Sequence, residues 1–275
     1  MTSTFLGTAV ADILDAVLAD DPDYLYVVNP SPHVFERLTE AAVAVEADLP
    51  AIRILGEVEM LKGSVADFLV ASTVADLVAA EVLSVRTLSS SAFGSTILSE
   101  DRAVSLIEAG DVVGGLSTTD AEFVATTVEA TEAAWENAGS FSVRTPAISR
   151  VLETLEEAIG VEVREDFQAT LDTLETVRGE DGDLDEVTIS LLVAAKNGVL
   201  LYDISKWGED VGIASKATFS RTKTRLEDVG LIDTEKVPID VGRPRLRLRL
   251  AGGLDAADDP ATIVETAVDH LSENP

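Results

Sequence analysis

The fold is decided by the stretch GIASKATFSRTKTRLEDVGLI, residues 212–232, together with VGRPRLRLRL, residues 241–250. The first stretch opens with a glycine that permits a tight turn, and Ser215 then offers a side chain that can cap a helix. We predict that this helix starts at Lys216 and continues to about residue 229. The alternation of arginine and leucine in the second stretch predicts a strand that returns from a hairpin. Together these features predict a winged helix-turn-helix domain.

The two sides of the predicted helix differ in chemistry at about 100° per residue. The inner side is mostly apolar and carries Phe219, Thr222, Leu226 and Val229. The opposite side carries small groups and one arginine, with three cations on its flanks: Ala217, Ser220, Arg221, Thr224, and then Lys216, Lys223 and Arg225. Such a face suits base edges in a major groove, and its flanking cations suit phosphates. We therefore expect this helix to bind double-stranded DNA.

The returning strand is expected to form the wing. Its arginines point one way and its leucines the other, and the set comprises Arg243, Arg245, Arg247 and Arg249. Pro244 has no N–H to donate, which fits the edge of a wing. A row of arginines is in most proteins a solvated face, but residues 196–250 hold 11 Lys+Arg and 8 Asp+Glu (net +3), against 9 and 42 (net −33) elsewhere. This basic island favours DNA contacts by Arg243, Arg245 and Arg247.

The composition of the whole chain is strongly acidic yet able to form a core. Its 275 residues carry a formal net charge of −30, and 46% of them are hydrophobic. Such a balance indicates the cytoplasm of a halophile, where salt screens crowded carboxylates. The absence of cysteine excludes disulfides, thiolate metal sites and a cysteine nucleophile. The lack of Lys or Arg before Arg37 argues against a targeting peptide, and no apolar run is long enough to span a membrane, so we expect a cytoplasmic protein.

Changes of pattern along the chain predict four segments. Residues 1–143 alternate strands and helices, which predicts an α/β domain with a mostly parallel sheet. Residues 144–183 predict a helical connector and linker whose apolar stripes either cap the core or form a homodimer interface. Residues 184–252 form the winged helix-turn-helix, and residues 253–275 form an acidic tail with a short helix.

A loop in the α/β domain is the candidate site for an effector, because ligands of parallel sheets bind beyond the carboxyl ends of the strands. Its hydroxyl groups and backbone N–H groups suit a phosphorylated sugar or a similar anion. The candidate residues are Arg86, Ser89, Ser90, Ser91, Ser95, Thr96 and Arg102. A plain surface loop explains the same sequence equally well.

Enzymatic chemistry has little support in the sequence. The chain has two histidines, and we expect His33 at the exposed start of a helix and His270 in a frayed acidic tail. No glycine-rich phosphate loop and no metal-ligand spacing is present. We therefore predict no enzyme, no catalytic residue, no metal and no cofactor. The alternative is a sugar-phosphate enzyme or ligand-binding module whose winged helix makes protein contacts.

Residues 212–232 resemble archaeal winged-helix regulators, and residues 241–250 resemble haloarchaeal ones in particular. The whole chain resembles the haloarchaeal TbsP family of transcription regulators, which is associated with the sugar-metabolism regulator TrmB. The resemblance implies a DNA-binding homodimer that controls genes of central carbon metabolism. It implies recognition-helix contacts by Lys216, Ser220, Arg221, Thr224 and Arg225, and wing contacts by Arg243 and Arg245.

Overall fold

The chain divides into two compact units, residues 1–147 and 148–275. The computed structural model describes residues 4–6, 9–44, 49–88, 94–110, 112–177, 184–238, 244–254 and 259–273. The boundary at residue 147 assigns the helices of the expected connector to the second unit. Residues 178–183 of the expected linker lie outside the described residues.

The first unit is an eight-stranded sheet with helices on both faces. Its strands are β1 (Thr4–Leu6), β2 (Tyr24–Val28), β3 (Ala51–Glu57), β4 (Leu83–Leu88), β5 (Thr96–Leu98), β6 (Ala103–Ala109), β7 (Val112–Thr118) and β8 (Gly139–Ser140). Its helices are α1 (Val10–Leu18), α2 (Pro32–Ala44), α3 (Val58–Ser64), α4 (Phe68–Ala79) and α5 (Ala121–Asn137). The strand order is β1-β7-β6-β5-β2-β3-β4-β8.

The sheet confirms the expected α/β class with a mostly parallel sheet, because β1, β2, β3, β4 and β6 run in one direction. The hydrogen-bonded parallel neighbours are β2–β3 and β3–β4, and the other neighbouring strands are antiparallel. One face packs against α1, α2, α3 and α4 in a core that contains Phe35 and Ile54. The other face packs against α5 through Tyr26, Leu55 and Val124.

The apolar pattern of residues 104–113 predicts a single strand, but β6 and β7 form a hairpin there. Strand β6 ends at Ala109, and β7 begins at Val112 and runs back along it. Gly110 has φ of +63° at this reversal, a conformation that glycine adopts without steric cost. Alternating hydrophobicity does not report strand direction, so the pattern alone missed the turn.

The second unit contains six helices and a small sheet in its described residues. Its elements are α6 (Ile148–Ala158), α7 (Val161–Val177), α8 (Glu186–Lys196), α9 (Leu201–Val211), α10 (Lys216–Asp228), β9 (Ile232–Val237), β10 (Arg245–Leu250) and α11 (Pro260–Glu273), with a short 3-10 turn at Gly252–Leu254. Trp207 of α9 links α7 and α6, since its ring meets Phe167 edge-to-face at 6.3 Å and its Nε1 donates to Thr154 Oγ1 at 3.1 Å. Leu155, Phe167 and Leu171 of the apolar stripes on α6 and α7 are thus buried inside this unit.

The C-terminal tail is ordered helix where it is described. Helix α11 buries Ile263, Val264 and Ala267 and packs against α7. His270 belongs to this helix, and its Nδ1 lies 3.4 Å from the carbonyl oxygen of Val229. The expectation of a frayed tail around His270 is therefore wrong, because the apolar spacing of α11 gives the helix a buried side.

Candidate nucleic-acid interface

The α9–α10 turn is built by two glycines and a cap. Gly212 ends α9 with φ of +96°, in the left-handed region that glycine favours. Ser215 Oγ then accepts a hydrogen bond from Thr218 N at 3.2 Å, as expected for the cap of α10. Gly208 lets the helices approach closely, since a Cβ there would lie 2.3 Å from Phe219 Cζ. The turn therefore fixes the direction in which α10 leaves α9.

The faces of α10 follow the pattern predicted from the sequence. Phe219 and Leu226 are fully buried. The outward face is exposed and consists of Lys216, Ala217, Ser220, Arg221, Thr224 and Arg225. No acidic residue occurs from residue 213 to residue 226, although the chain has 50 Asp and Glu. This face offers hydroxyls, one methyl group and cations to a polyanion.

Two lysines of α10 are held by acidic neighbours. Lys216 Nζ lies 2.6 Å from Glu209 Oε2. Their hydrogen bond lowers the pKa of the Glu209 carboxyl and raises the pKa of Lys216. Lys223 Nζ lies 2.6 Å from Glu227 Oε2, and the lysine side chain is only 12% exposed. Lys223 therefore does not join the outward face, contrary to its expected place on an exposed flank.

The wing is a small antiparallel sheet in which β10 lies between β9 and residue Leu200. Leu248 is fully buried, as the alternation predicts. The guanidinium of Arg245 lies 4.3 Å from the centre of the Tyr202 ring and 3.4 Å from Asp203 Oδ1. The expected wing residue Arg243 lies outside the described residues.

The other two arginines of β10 lie close to Gly198 or Glu235. Arg247 is half-buried beside Gly198, and Glu235 is its cross-strand partner. Arg249 Nη2 lies 3.2 Å from Glu235 Oε2. Arg245 is thus stacked on Tyr202, Arg249 is half-exposed and pairs with Glu235, and Arg247 lies beside Gly198 with its buried Nε unpaired among the described atoms.

Among the described residues proposed for an effector, Arg102 lies apart from the others. Arg86 Nη1 donates to the carbonyl of Trp135 at 2.7 Å, and its guanidinium lies over the Trp135 ring at 4.6 Å. Arg102 binds Asp20 at 2.6 Å and Ser117 at 2.9 Å. Because Thr96 pairs with Val28 and Leu98 with Tyr26, Arg102 lies beyond the amino end of β2, at the opposite edge from the loop.

The hydroxyl residues of the same loop are only partly described. Ser95 Oγ is buried without a hydrogen-bond partner among the described atoms, and Thr96 Oγ1 donates to the carbonyl of Gly94 at 3.1 Å. Ser89, Ser90 and Ser91 lie outside the described residues. The expected contribution of Arg102 to this loop is wrong, because the antiparallel strand β5 places Arg102 at the opposite edge of the sheet.

Three residues that contact the cations of α10 and the wing were not predicted from the sequence. Tyr202 is 46% exposed and stacks on Arg245, and Asp203 binds the same arginine across 42 positions of sequence. Glu209 binds Lys216 across the turn. Short-range patterns carry no signal for the first two, whereas the closeness of Glu209 to the start of α10 could have indicated the third.

The three-helix core, the exposed face of α10 and the wing define a winged helix-turn-helix domain, the class used by DNA-binding transcription regulators. Comparison of the chain with protein families supports this class. The family "Transcriptional regulator TbsP-like, C-terminal HTH domain" matches residues 147–268, and the family "Transcriptional regulator TbsP-like, N-terminal" matches residues 2–146. The chain belongs to the TbsP-like family of transcriptional regulators.

Solved structures give only weak likenesses. The archaeal chromatin protein TrmBL2 is 13% identical with a TM-score of 0.38, and the match covers 51% of this chain and 54% of that one. A phospholipase D family member, Nuc from Salmonella typhimurium, is 12% identical with a TM-score of 0.35, covering 51% of this chain and 97% of that one. NucT from Helicobacter pylori is 11% identical with a TM-score of 0.35, covering 51% and 99%.

The chain therefore spans about half the length of TrmBL2. No match was found among curated proteins. Among the described residues, no helix is long and apolar enough to cross a bilayer, and no group of three or more acidic or histidine side chains could hold a metal ion.

Proposed function

We propose that α10 enters the major groove of double-stranded DNA and that the wing contacts the flanking backbone. The observation that carries this proposal is the exposed, acid-free face of α10 in a chain of net charge −30. Ala217, Ser220, Arg221 and Thr224 face the base edges, and Lys216 and Arg225 face phosphates. Lys223 is left out because Glu227 holds it in a largely buried pair.

The wing extends this interface mainly through Arg245, with Arg247 and Arg243 as further contacts. Tyr202 and Asp203 fix the Arg245 guanidinium, so its position is set before DNA arrives and less side-chain entropy is lost on binding. Counterion release makes phosphate contacts weak at high salt. In a saline cytoplasm, specificity then depends on the base contacts of Ser220, Arg221 and Thr224.

The family and the composition support a proposal for the broader role. We propose a homodimer in a halophilic archaeal cytoplasm that controls genes of central carbon (sugar) metabolism. The acid-rich composition supports the saline setting, and the family resemblance supports the target genes. The α/β unit is proposed to bind an anionic metabolite, such as a phosphorylated sugar, near Ser95 and Thr96 at the carboxyl edge. A calorimetric screen of glycolytic phosphates without any binding would overturn that effector proposal.

The DNA proposal is tested by comparing Arg221→Ala with Lys206→Ala. Chromatin immunoprecipitation first identifies a promoter fragment, and fluorescence anisotropy then measures its affinity in ~1 M KCl. Arg221→Ala is expected to weaken binding by about 1–3 kcal/mol, roughly 5- to 150-fold, since a base contact is lost. Lys206→Ala removes the same charge from α9, where Lys206 is 52% exposed and pairs with Asp210, and is expected to change little. Equal losses in both variants would contradict base readout by α10.

A further inference from the structure

The β6–β7 hairpin has one buried face and one open face. Val104, Leu106 and Val113 point into the core that α1 and α2 cover. The opposite side chains remain exposed where α5 does not reach, and the fractions for the three large ones are 48% (Ile107), 49% (Val112) and 45% (Leu116). We call this surface the hairpin face; it comprises Ser105, Ile107, Ala109, Val112 and Leu116.

The hairpin face is uncharged in a chain that is otherwise crowded with carboxylates. Its five residues include no Asp, Glu, Lys or Arg, and neither do the neighbouring described positions that share this side of the sheet, Thr96, Ala103, Gly114 and Thr118. Phe123, in the first turn of the adjoining helix α5, is also 52% exposed. A contiguous apolar surface of this kind marks an interaction site in a water-soluble unit.

The charge of the chain indicates which partner fits. Two copies of net charge −30 repel each other wherever their acidic surfaces meet. On the hairpin face they can approach without desolvating or opposing a carboxylate. Contact between two identical faces across a two-fold axis is also the commonest symmetry of homo-oligomers.

We propose that the hairpin face of one copy packs against the hairpin face of a second copy, making it the homodimer interface. This deepens the proposed function and rests on its dimeric part. The stripes of α6 and α7, the earlier candidate for this role, offer less exposed apolar surface, because Leu155 and Phe167 are buried inside their own unit and Ile148, Leu152 and Ile159 are half-buried. Helix α5 occupies the other half of the same sheet side, so the open half is the apolar surface left to a partner.

Sedimentation equilibrium in ~2 M KCl tests the interface with Ile107→Thr/Leu116→Thr. Threonine keeps the β-branched shape of Ile107, suits a strand at position 116, and removes apolar surface at both positions. Wild type is expected to sediment as a dimer, and the variant to dissociate with a dimer Kd raised at least ~10-fold. The matched control Val43→Thr/Val78→Thr changes residues that are 59% and 44% exposed on α2 and α4, and it should remain dimeric. A wild-type monomer at ~100 µM, or an unchanged variant dimer, would overturn the proposal.

Cross-linking gives an independent measurement because the chain has no cysteine of its own. Ser105→Cys places one thiol on the hairpin face, and Ala125→Cys places one on an exposed position of α5. A short bis-maleimide is expected to join two copies of the first variant and not of the second, and equal yields would contradict the interface. The Ile107→Thr/Leu116→Thr monomer is expected to bind a single half-site of DNA with unchanged affinity. If the protein forms the dimer but does not bind DNA, that result contradicts the proposed function and leaves the dimer interface standing.

Discussion

Lys216 has two competing partners in the proposed DNA complex, Glu209 and a phosphate. The 2.6 Å pair with Glu209 orients Lys216 at the start of α10, so in that proposal DNA displaces or shares the carboxylate. Wing residue Arg245 has a similar acidic partner in Asp203. At the residue scale, the interface therefore carries less free positive charge than its lysines and arginines suggest.

Replacing Glu209 by Gln should release Lys216 for phosphate. The expected result is tighter DNA binding at ~0.1 M KCl. The slope of log affinity against log salt concentration should also be steeper by up to about one. The gain should vanish at high salt, where the released contact is screened. Anisotropy titrations over a range of KCl measure both quantities. Asp210→Asn is the matched control, since it frees Lys206 of α9, and an equal change of slope in that variant would contradict the role of Glu209.

Mild acid should not reproduce the effect of Glu209→Gln. The hydrogen bond from Lys216 lowers the pKa of Glu209, so the carboxylate stays ionised below the usual range of a glutamate. The pair is fully present above the ordinary pKa and is lost only as the pH falls through the lowered one. The salt dependence of wild-type binding is therefore expected to be equal at pH 8 and pH 5.5, and a steeper slope at pH 5.5 would contradict this.

Helices α9 and α10 meet through one glycine and one aromatic ring. A Cβ at position 208 would lie 2.3 Å from Cζ and 2.4 Å from Cε2 of Phe219, whose ring is fully buried. The carbonyl of Gly208 also accepts hydrogen bonds from the turn, including one from Ile213 N at 2.8 Å. At the element scale, the direction of the recognition helix depends on this contact.

Gly208→Ala is expected to destabilise the second unit. Overpacking costs about 1–3 kcal/mol, which outweighs the gain in helix propensity of up to about 1 kcal/mol. Urea unfolding in ~2 M KCl, followed by circular dichroism, measures the loss. Gly253→Ala serves as the control in the same unit, because a Cβ there meets nothing within 4 Å. Equal midpoints for the two variants would show that the contact with Phe219 is not tight.

The recognition helix was predictable because local rules determine it. Ser215 caps it, and the spacing of Phe219 and Leu226 fixes its buried side. Lys223 was misplaced because a helical wheel assigns a direction to Cβ, whereas its ammonium group reaches Glu227 one turn later. The Tyr202–Arg245 stack joins two distant elements, and sequence periodicity does not encode such contacts.

At the scale of the whole molecule, alternation of strands and helices was enough to predict the α/β class. Strand order was not predictable, because alternating patterns leave both direction and neighbours open. Arg102 shows the consequence: the reversal at β5 places it beside Asp20, at the edge opposite the predicted effector loop. The helices at residues 148–177 carry apolar stripes that fit several roles, and periodicity alone does not reveal that Phe167 packs on the distant Trp207.

The net charge of −30 should make the stability of the chain depend strongly on salt. The Debye length falls from ~10 Å at 0.1 M to ~3 Å at 1 M salt, so most of the repulsion among carboxylates should be screened by ~1 M KCl. We therefore expect the midpoint of thermal unfolding to rise steeply between ~0.1 and ~1 M KCl and more slowly up to ~2 M. Circular dichroism melts at each salt concentration measure this, and an unchanged midpoint would refute it.

A charge variant separates repulsion from general effects of salt on burial. Glu153, Glu156 and Glu157 are exposed on α6 within one turn of each other, so their carboxylates repel. Changing all three to Gln should raise the unfolding midpoint at ~0.1 M KCl and leave it nearly unchanged at ~2 M. If salt acted only by strengthening apolar burial, the variant and wild type would differ by the same amount at both concentrations. The dependence of that difference on salt therefore decides whether carboxylate repulsion limits stability.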